Sequence, residues 1–415
     1  MESHYSAPFD VWIRRLFCCD LQALRSSKDF RFGYSLIKSH TSIMLLSKLT
    51  ICATALQVHL VLSAPSLTNE EIDILAGQHV IYSYNYTERK PPQELVELTK
   101  AGLVGGVLLY DVHVNDDTPA AMKRLLDAYA SSPAQALLKR LTGKATKFLV
   151  MTNQEGGTVF NGVPGHAPAE SAKQIGSSAN SREAGRQAGF GAAQSLKEYN
   201  FNVNLAPVLG VFREPMNFLD YYGRSYGNTT DRVIHPAIPF IQAQRSKGIL
   251  VSIKHFPGLG SAEYNQNTDL APVSLNIPLH DIKNIDTATF AAAIRSGVDM
   301  VMPSWATYPA VDKIPAGLSE IWMKHWLRGK LGFRGVTITE AMEAGSILSF
   351  GDVKARAKLA YKAGNDLILA SQLNVTEGVE IRETLSRAVQ SREINRADFL
   401  DSTRRIAALK SRTWN

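Results

Sequence analysis

The chain has 415 residues, 45% of them apolar and 20% charged, values that suit a globular protein with a large core. Disordered, collagen-like and disulfide-stapled architectures are thereby excluded. A formal charge of +7 comes from 45 basic and 38 acidic residues, but Lys and Arg are scattered with no run of five or more, so no nucleic-acid partner is expected.

At the amino terminus, residues 1–43 contain Arg14-Arg15 and Cys18-Cys19 and show no periodic pattern, and read as a disordered or non-native leader. Residues 44–64 then give a Met, a Lys, an apolar stretch and Ser63-Ala64 before Pro65. That order is the pattern of a secretory signal peptide, with Met44 as the expected start and cleavage after Ala64. Gln57 and His59 make the stretch too polar for a stable membrane span. Asn85-Tyr86-Thr87, Asn228-Thr229-Thr230 and Asn374-Val375-Thr376 are glycosylation sequons, which suits a secreted protein. Cysteine occurs only at positions 18, 19 and 52, so the body of the chain has none for a zinc site or a disulfide.

From residue 65 onward, short apolar stretches alternate with helical patterns. They fall at 79–84, 105–110, 147–153, 201–206, 249–255, 298–302, 335–340 and 365–370. Each is short and continuously apolar, the signature of parallel strands buried on both faces. Between them, 180–199, 233–247 and 284–296 read as helices, and Gly248, Gly297 and Gly364 stand where helices end. Eight strand–helix units without a dividing linker predict one (β/α)8 barrel over residues 65–415, with a doubly wound open sheet as the alternative.

In such a barrel the chemistry sits at the carboxyl ends of the strands. The polar residues there are Asn153-Gln154-Glu155, Asn204, Lys254-His255, Ser304 and Glu340. Lys254-His255-Phe256-Pro257-Gly258-Leu259-Gly260 puts a cation and an imidazole where Pro and Gly must break the strand. Gly223-Arg224-Ser225-Tyr226-Gly227 offers the planar guanidinium fork of Arg224 for hydroxyl or carboxylate groups. Neither Gly258-Leu259-Gly260 nor the segment 102–106 completes a dinucleotide-binding loop, and His79, His113 and His166 are too dispersed for a recognisable metal site. No metal or organic cofactor is implied.

Taken together, NQEGG, NVNLAPVLGV, GRSYG, KHFPGLG and LGFRGVTITEAM resemble the amino-terminal barrel of glycoside hydrolase family 3, over roughly residues 70–410. The likeness is greatest to its single-domain β-N-acetylglucosaminidases. It implies a hydrolase that cleaves β-linked hexosides or N-acetylhexosaminides with retention, through a covalent glycosyl-enzyme. On this resemblance Glu340 occupies the nucleophile position, while Asn153, Arg224, Lys254 and His255 match residues that bind the sugar.

The sequence departs from the family pattern at three places. The nucleophile position holds Glu340 rather than Asp, and Asn153 stands where the family has Asp. The Asp-Ser-His segment that supplies the acid/base is replaced by Asn265-Gln266-Asn267, whose neutral amides do not exchange protons usefully. A reacting atom displaced by about 1 Å costs on the order of 100-fold. A missing general acid costs roughly 100- to 10,000-fold. Compensation would come from the same loop, through Glu263 as acid/base partner of Glu340, with Asp269 also available and Glu343 a fallback nucleophile. Without it, the alternative is a carbohydrate-binding barrel that has lost catalysis.

Overall fold

A computed structural model of the chain describes residues 67–85, 90–157 and 162–414. The leader at 1–43 and the signal segment at 44–64 lie outside the described residues.

Ten strands occur in chain order among the described residues: β1 (Val80–Tyr82), β2 (Gly106–Leu108), β3 (Leu149–Thr152), β4 (Val203–Asn204), β5 (Leu250–Phe256), β6 (Met300–Pro303), β7 (Thr307–Tyr308), β8 (Asp312–Pro315), β9 (Val336–Ala341) and β10 (Leu367–Leu369). All but β7 and β8 close into a parallel barrel, β10 pairing β1 through Val80 with Ile368 and Ile81 with Leu369. Every barrel strand falls inside one of the eight apolar stretches or overruns it by a single residue, and the open-sheet alternative is excluded. The antiparallel β7–β8 hairpin was not anticipated, because Pro309 and Pro315 make Thr307–Pro315 read as irregular chain.

The helices follow the expected pattern with shifted ends. Ser181–Glu198 starts where the Asn180 side chain accepts from the Glu183 amide at 3.2 Å. Thr230–Ser246 begins three residues before the expected 233, because the Thr229 hydroxyl caps it by accepting from the Arg232 amide. These two helices pack closely: a Cβ on Gly185 would stand 2.2 Å from the Pro236 carbonyl oxygen, and one on Gly189 2.4 Å from that of Phe240. The third helix runs Thr287–Arg295.

Side chains alternate between two environments along each strand, as a pleated backbone requires. Ile81, Leu108, Leu149, Met151, Val203, Leu250, Met300, Val336, Ile338 and Leu367 fill the barrel interior. The residues between them, such as Val80, Val107, Val150, Val251 and Val301, pack outward among the helices. This parity decides which residues beyond the strand ends face the barrel axis.

A buried carboxylate ties the base of the barrel together. Asp366 accepts from Arg328 Nη2 at 2.7 Å, Arg405 Nη2 at 2.7 Å, Ser402 Oγ at 2.6 Å and the Thr337 amide at 3.0 Å. Burial alone would raise its pKa, but the Arg328 and Arg405 charges outweigh it and hold the carboxyl at about 2. Asp366→Ala leaves two arginines without their buried partner and is expected to cost about 3–5 kcal/mol, read as a lower urea midpoint. Because the folded pKa lies below the ordinary 3.8, Asp366 contributes fully above that pH and progressively less as pH falls towards 2. A variant with an unchanged midpoint at pH 7 would contradict this role.

Candidate active site

Strand parity assembles the site. Continuing the inward face gives Tyr110 after Leu108, Asn153 and Glu155 after Met151, Lys254 after Leu250, and Glu340 after Ile338. All of these line one cavity of about 190 Å³ at the carboxyl ends of the strands, with Leu205, Met302 and Leu369 as its floor. The pairing of β5 with β6 is irregular between Lys254 and Phe256, and there the alternation breaks, so His255 lines the cavity too. Arg224 enters from the loop after β4, and Phe218, Asn267, Thr268 and Asp269 also line the cavity.

Glu155 organises the cationic side. Its two carboxylate oxygens accept Arg224 Nε at 3.0 Å and Nη2 at 2.9 Å, a bidentate pair. Lys254 Nζ lies 2.6 Å from Glu155 Oε1 and donates to Asn153 Oδ1 at 2.7 Å. Burial alone would raise the Glu155 pKa, yet the Arg224 and Lys254 charges hold it down at about 2, so it is a permanent anion. Burial pulls Lys254 below its usual range against the pull of Glu155. Burial, with the Arg224 and Lys254 charges, holds His255 well below its ordinary value, so the ring is neutral. Its Nδ1 is buried and makes no hydrogen bond to the described residues.

Glu340 occupies the other wall. One carboxyl oxygen accepts the Trp305 amide at 3.1 Å and the other the Thr268 hydroxyl at 3.3 Å. Burial pushes this carboxyl up to about 8, and the neighbouring Asp269 charge adds to the effect. The loop carrying Asp269 folds over the cavity because the segment after β9 holds it: Gly345 donates its amide to the Asp269 carbonyl at 2.8 Å, and Ser346 to that of Thr268 at 3.2 Å.

Asn153, Arg224, Lys254, His255 and Glu340 therefore converge on one cavity. Glu263 does not line it. Its amide is bonded to Gln266 Oε1 at 2.8 Å and its carbonyl to the Gln266 amide at 2.9 Å, and this local turn leaves Glu263 exposed. Asp269, further along the loop, is the carboxylate that faces the cavity. Glu343 accepts from Ser371 Oγ at 2.8 Å and does not line the cavity either. Asn204 is structural, bonding the Gln154 backbone and the Gln244 side chain. A larger open hollow of about 450 Å³ borders Asp366, where Arg328 and Arg405 pair with Asp366 and Lys362 with Glu393.

A polar pocket at the strand carboxyl ends of a (β/α)8 barrel, rich in hydrogen-bond donors and carrying a buried carboxyl, is where enzymes of this fold place their chemistry. Residues 67–409 match the glycosyl hydrolase family 3 N-terminal domain, and the chain belongs to that family of glycosyl hydrolases. It is 43% identical over 351 residues to an uncharacterized secreted glycosyl hydrolase of Arthroderma benhamiae, covering 84% of this chain and 96% of that one. It is 28% identical to a β-hexosaminidase of Neisseria meningitidis, over 64% of this chain and 71% of the relative. Among solved structures, a family 3 β-N-acetylglucosaminidase from Paenibacillus superposes with a TM-score of 0.74 at 27% identity. That match covers 84% of this chain, which spans 63% of the Paenibacillus chain.

Proposed function

We propose that the protein is an exported β-N-acetylhexosaminidase that removes one terminal sugar with retention of configuration. The observation that carries this reading is the convergence of Arg224, Lys254, His255 and Glu340 on one cavity that also holds Asp269. At about 190 Å³ the cavity is smaller than the roughly 300–1,000 Å³ of sites that enclose drug-sized ligands, and it suits a single sugar ring. The names of the Neisseria and Paenibacillus relatives favour an N-acetylhexosamine in that place. Export is supported by the 44–64 pattern and by the secreted relative, and the sequon asparagines Asn85 and Asn228 are exposed.

Lys254 and Arg224 bind the hydroxyls of the sugar, while Glu155 fixes their positions and balances their charge. Asn153, held by Lys254, and neutral His255 supply further hydrogen bonds. Glu340 attacks the anomeric carbon from its carboxylate form, and the Trp305 amide and Thr268 hydroxyl hold that carboxylate in line. Asp269 takes the acid/base role: it protonates the departing oxygen, then deprotonates the water that releases the sugar.

Hydrolysis of an aryl N-acetyl-β-glucosaminide, followed by proton NMR of the first product, tests the reading. The β anomer should appear first. The α anomer would exclude retention, and tight binding without turnover would favour a barrel that has lost catalysis. Arg224→Ala and Lys254→Ala should each weaken binding of the free monosaccharide by about 1–3 kcal/mol, measured by calorimetry. Two folded variants with unchanged affinity would remove the sugar from this cavity.

A further inference from the structure

Packed against Phe218, a residue of the cavity lining, is a cluster of three exposed aromatic side chains. Tyr221, Tyr222 and Tyr264 are 47%, 37% and 50% exposed. The Tyr221 and Tyr264 ring centroids are 4.4 Å apart at 74°, and those of Tyr221 and Tyr222 4.9 Å apart at 87°. Tyr222 and Tyr264 lie nearly parallel, at 14° and 6.4 Å. Clustered exposed rings are costly for a soluble surface and usually mark a binding site.

The cluster is continuous with the pocket and firmly held. Phe218, which lines the cavity, packs edge-to-face on Tyr222 at 5.4 Å. The two loops that carry the rings are joined where the Phe218 amide donates to the Ala262 carbonyl at 3.1 Å and Asn217 Nδ2 to the Gly260 carbonyl at 2.7 Å. Lys173 fixes the short helix Phe218–Tyr221 from beneath by its 2.8 Å contact with Asp220. Tyr264 stands on the loop that also carries Asp269, a residue of the cavity lining.

We infer that Tyr221, Tyr222 and Tyr264 form a platform for the sugar ring on the leaving-group side of the scissile bond, which makes the preferred substrate a β-linked oligosaccharide rather than a glycoside with a small leaving group. The inference rests on the hydrolase reading above. With room for about one ring in the cavity, a second ring must leave through the mouth. The apolar C–H faces of a pyranose stack on aromatic faces, and the tyrosine hydroxyls meet its equatorial oxygens. Rigid rings set in advance cost little ordering on binding.

The test compares two substrates of the full chain: N-acetyl-β-glucosaminyl fluoride, whose leaving group has no ring, and the β-1,4-linked disaccharide of N-acetylglucosamine. The Tyr221→Ala/Tyr264→Ala variant should lower the ratio of kcat/KM for disaccharide over fluoride about tenfold or more, the scale expected for two lost stacking faces. Tyr221→Phe/Tyr264→Phe keeps the faces and should hold the ratio within about threefold of wild type. An unchanged ratio in the alanine variant would overturn the platform. If wild type hydrolyses neither compound, the hydrolase reading fails by itself, and calorimetry still decides the platform. The alanine variant should then lose disaccharide affinity about tenfold relative to monosaccharide, and an unchanged preference would overturn it. A wild-type dimer that dissociates on the alanine substitutions would reassign the cluster to self-association and equally overturn it.

Discussion

Glu340→Gln is expected to lower kcat by about 10,000-fold or more on an aryl N-acetyl-β-glucosaminide, because a neutral amide forms no glycosyl ester. The same substitution should stabilise the fold towards alkaline pH. An isolated glutamate titrates near 4.5 and burial moves Glu340 to about 8, so across that window the folded protein keeps a proton that the unfolded chain releases. Unfolding free energy therefore falls as pH rises from about 4.5 to about 8. Glutamine removes that dependence, so the melting-temperature difference between variant and wild type should grow across the window. In wild type, kcat/KM should fall as pH drops below about 8, as the free enzyme's nucleophile becomes protonated. Wild-type turnover in the variant, or identical stability profiles, would contradict this reading of Glu340.

Asp269→Asn is expected to reduce the rate by roughly 100- to 10,000-fold for a leaving group that needs protonation. The loss in the first step should be slight for a dinitrophenyl leaving group, which departs without an acid. Azide should then speed turnover of the dinitrophenyl substrate and yield a β-glycosyl azide, since a small anionic nucleophile needs no general base. A uniform loss across leaving groups, with no azide effect, would mean that Asp269 only shapes the pocket. Activity should be insensitive to Glu263→Gln, given the exposed position of that residue.

The barrel was legible because eight buried strands leave eight apolar stretches, and strand ends are where polar residues interrupt them. Period-two counting places Glu340 on the inner face with Val336 and Ile338, and Asn153 with Leu149 and Met151. The same count applied to Gly106–Tyr110 marks Tyr110 as a cavity residue, which motif reading passed over. Glu155 was visible as a strand-end carboxylate, but its role as common partner of Arg224 and Lys254 depends on residues 69 and 99 positions away in the chain. Loop 261–269 was the least legible part. Whether Glu263 or Asp269 faces the pocket is decided by a side chain–backbone turn at Gln266 and by amides of Gly345 and Ser346, none of which leaves a periodic trace. The tyrosine cluster joins two such loops, and its members are unremarkable when read singly.

On the proposed mechanism, Glu340 forms the covalent bond to the sugar. A 2-deoxy-2-fluoro glycoside with a good leaving group tests it most directly, because the fluorine slows both steps while the leaving group lets the ester accumulate. One sugar per chain should be found by mass spectrometry, on the peptide that contains Glu340. Label on Asp269, Glu263 or Glu343, or an active enzyme that never labels and whose Glu340→Gln variant keeps its full rate, would contradict the mechanism.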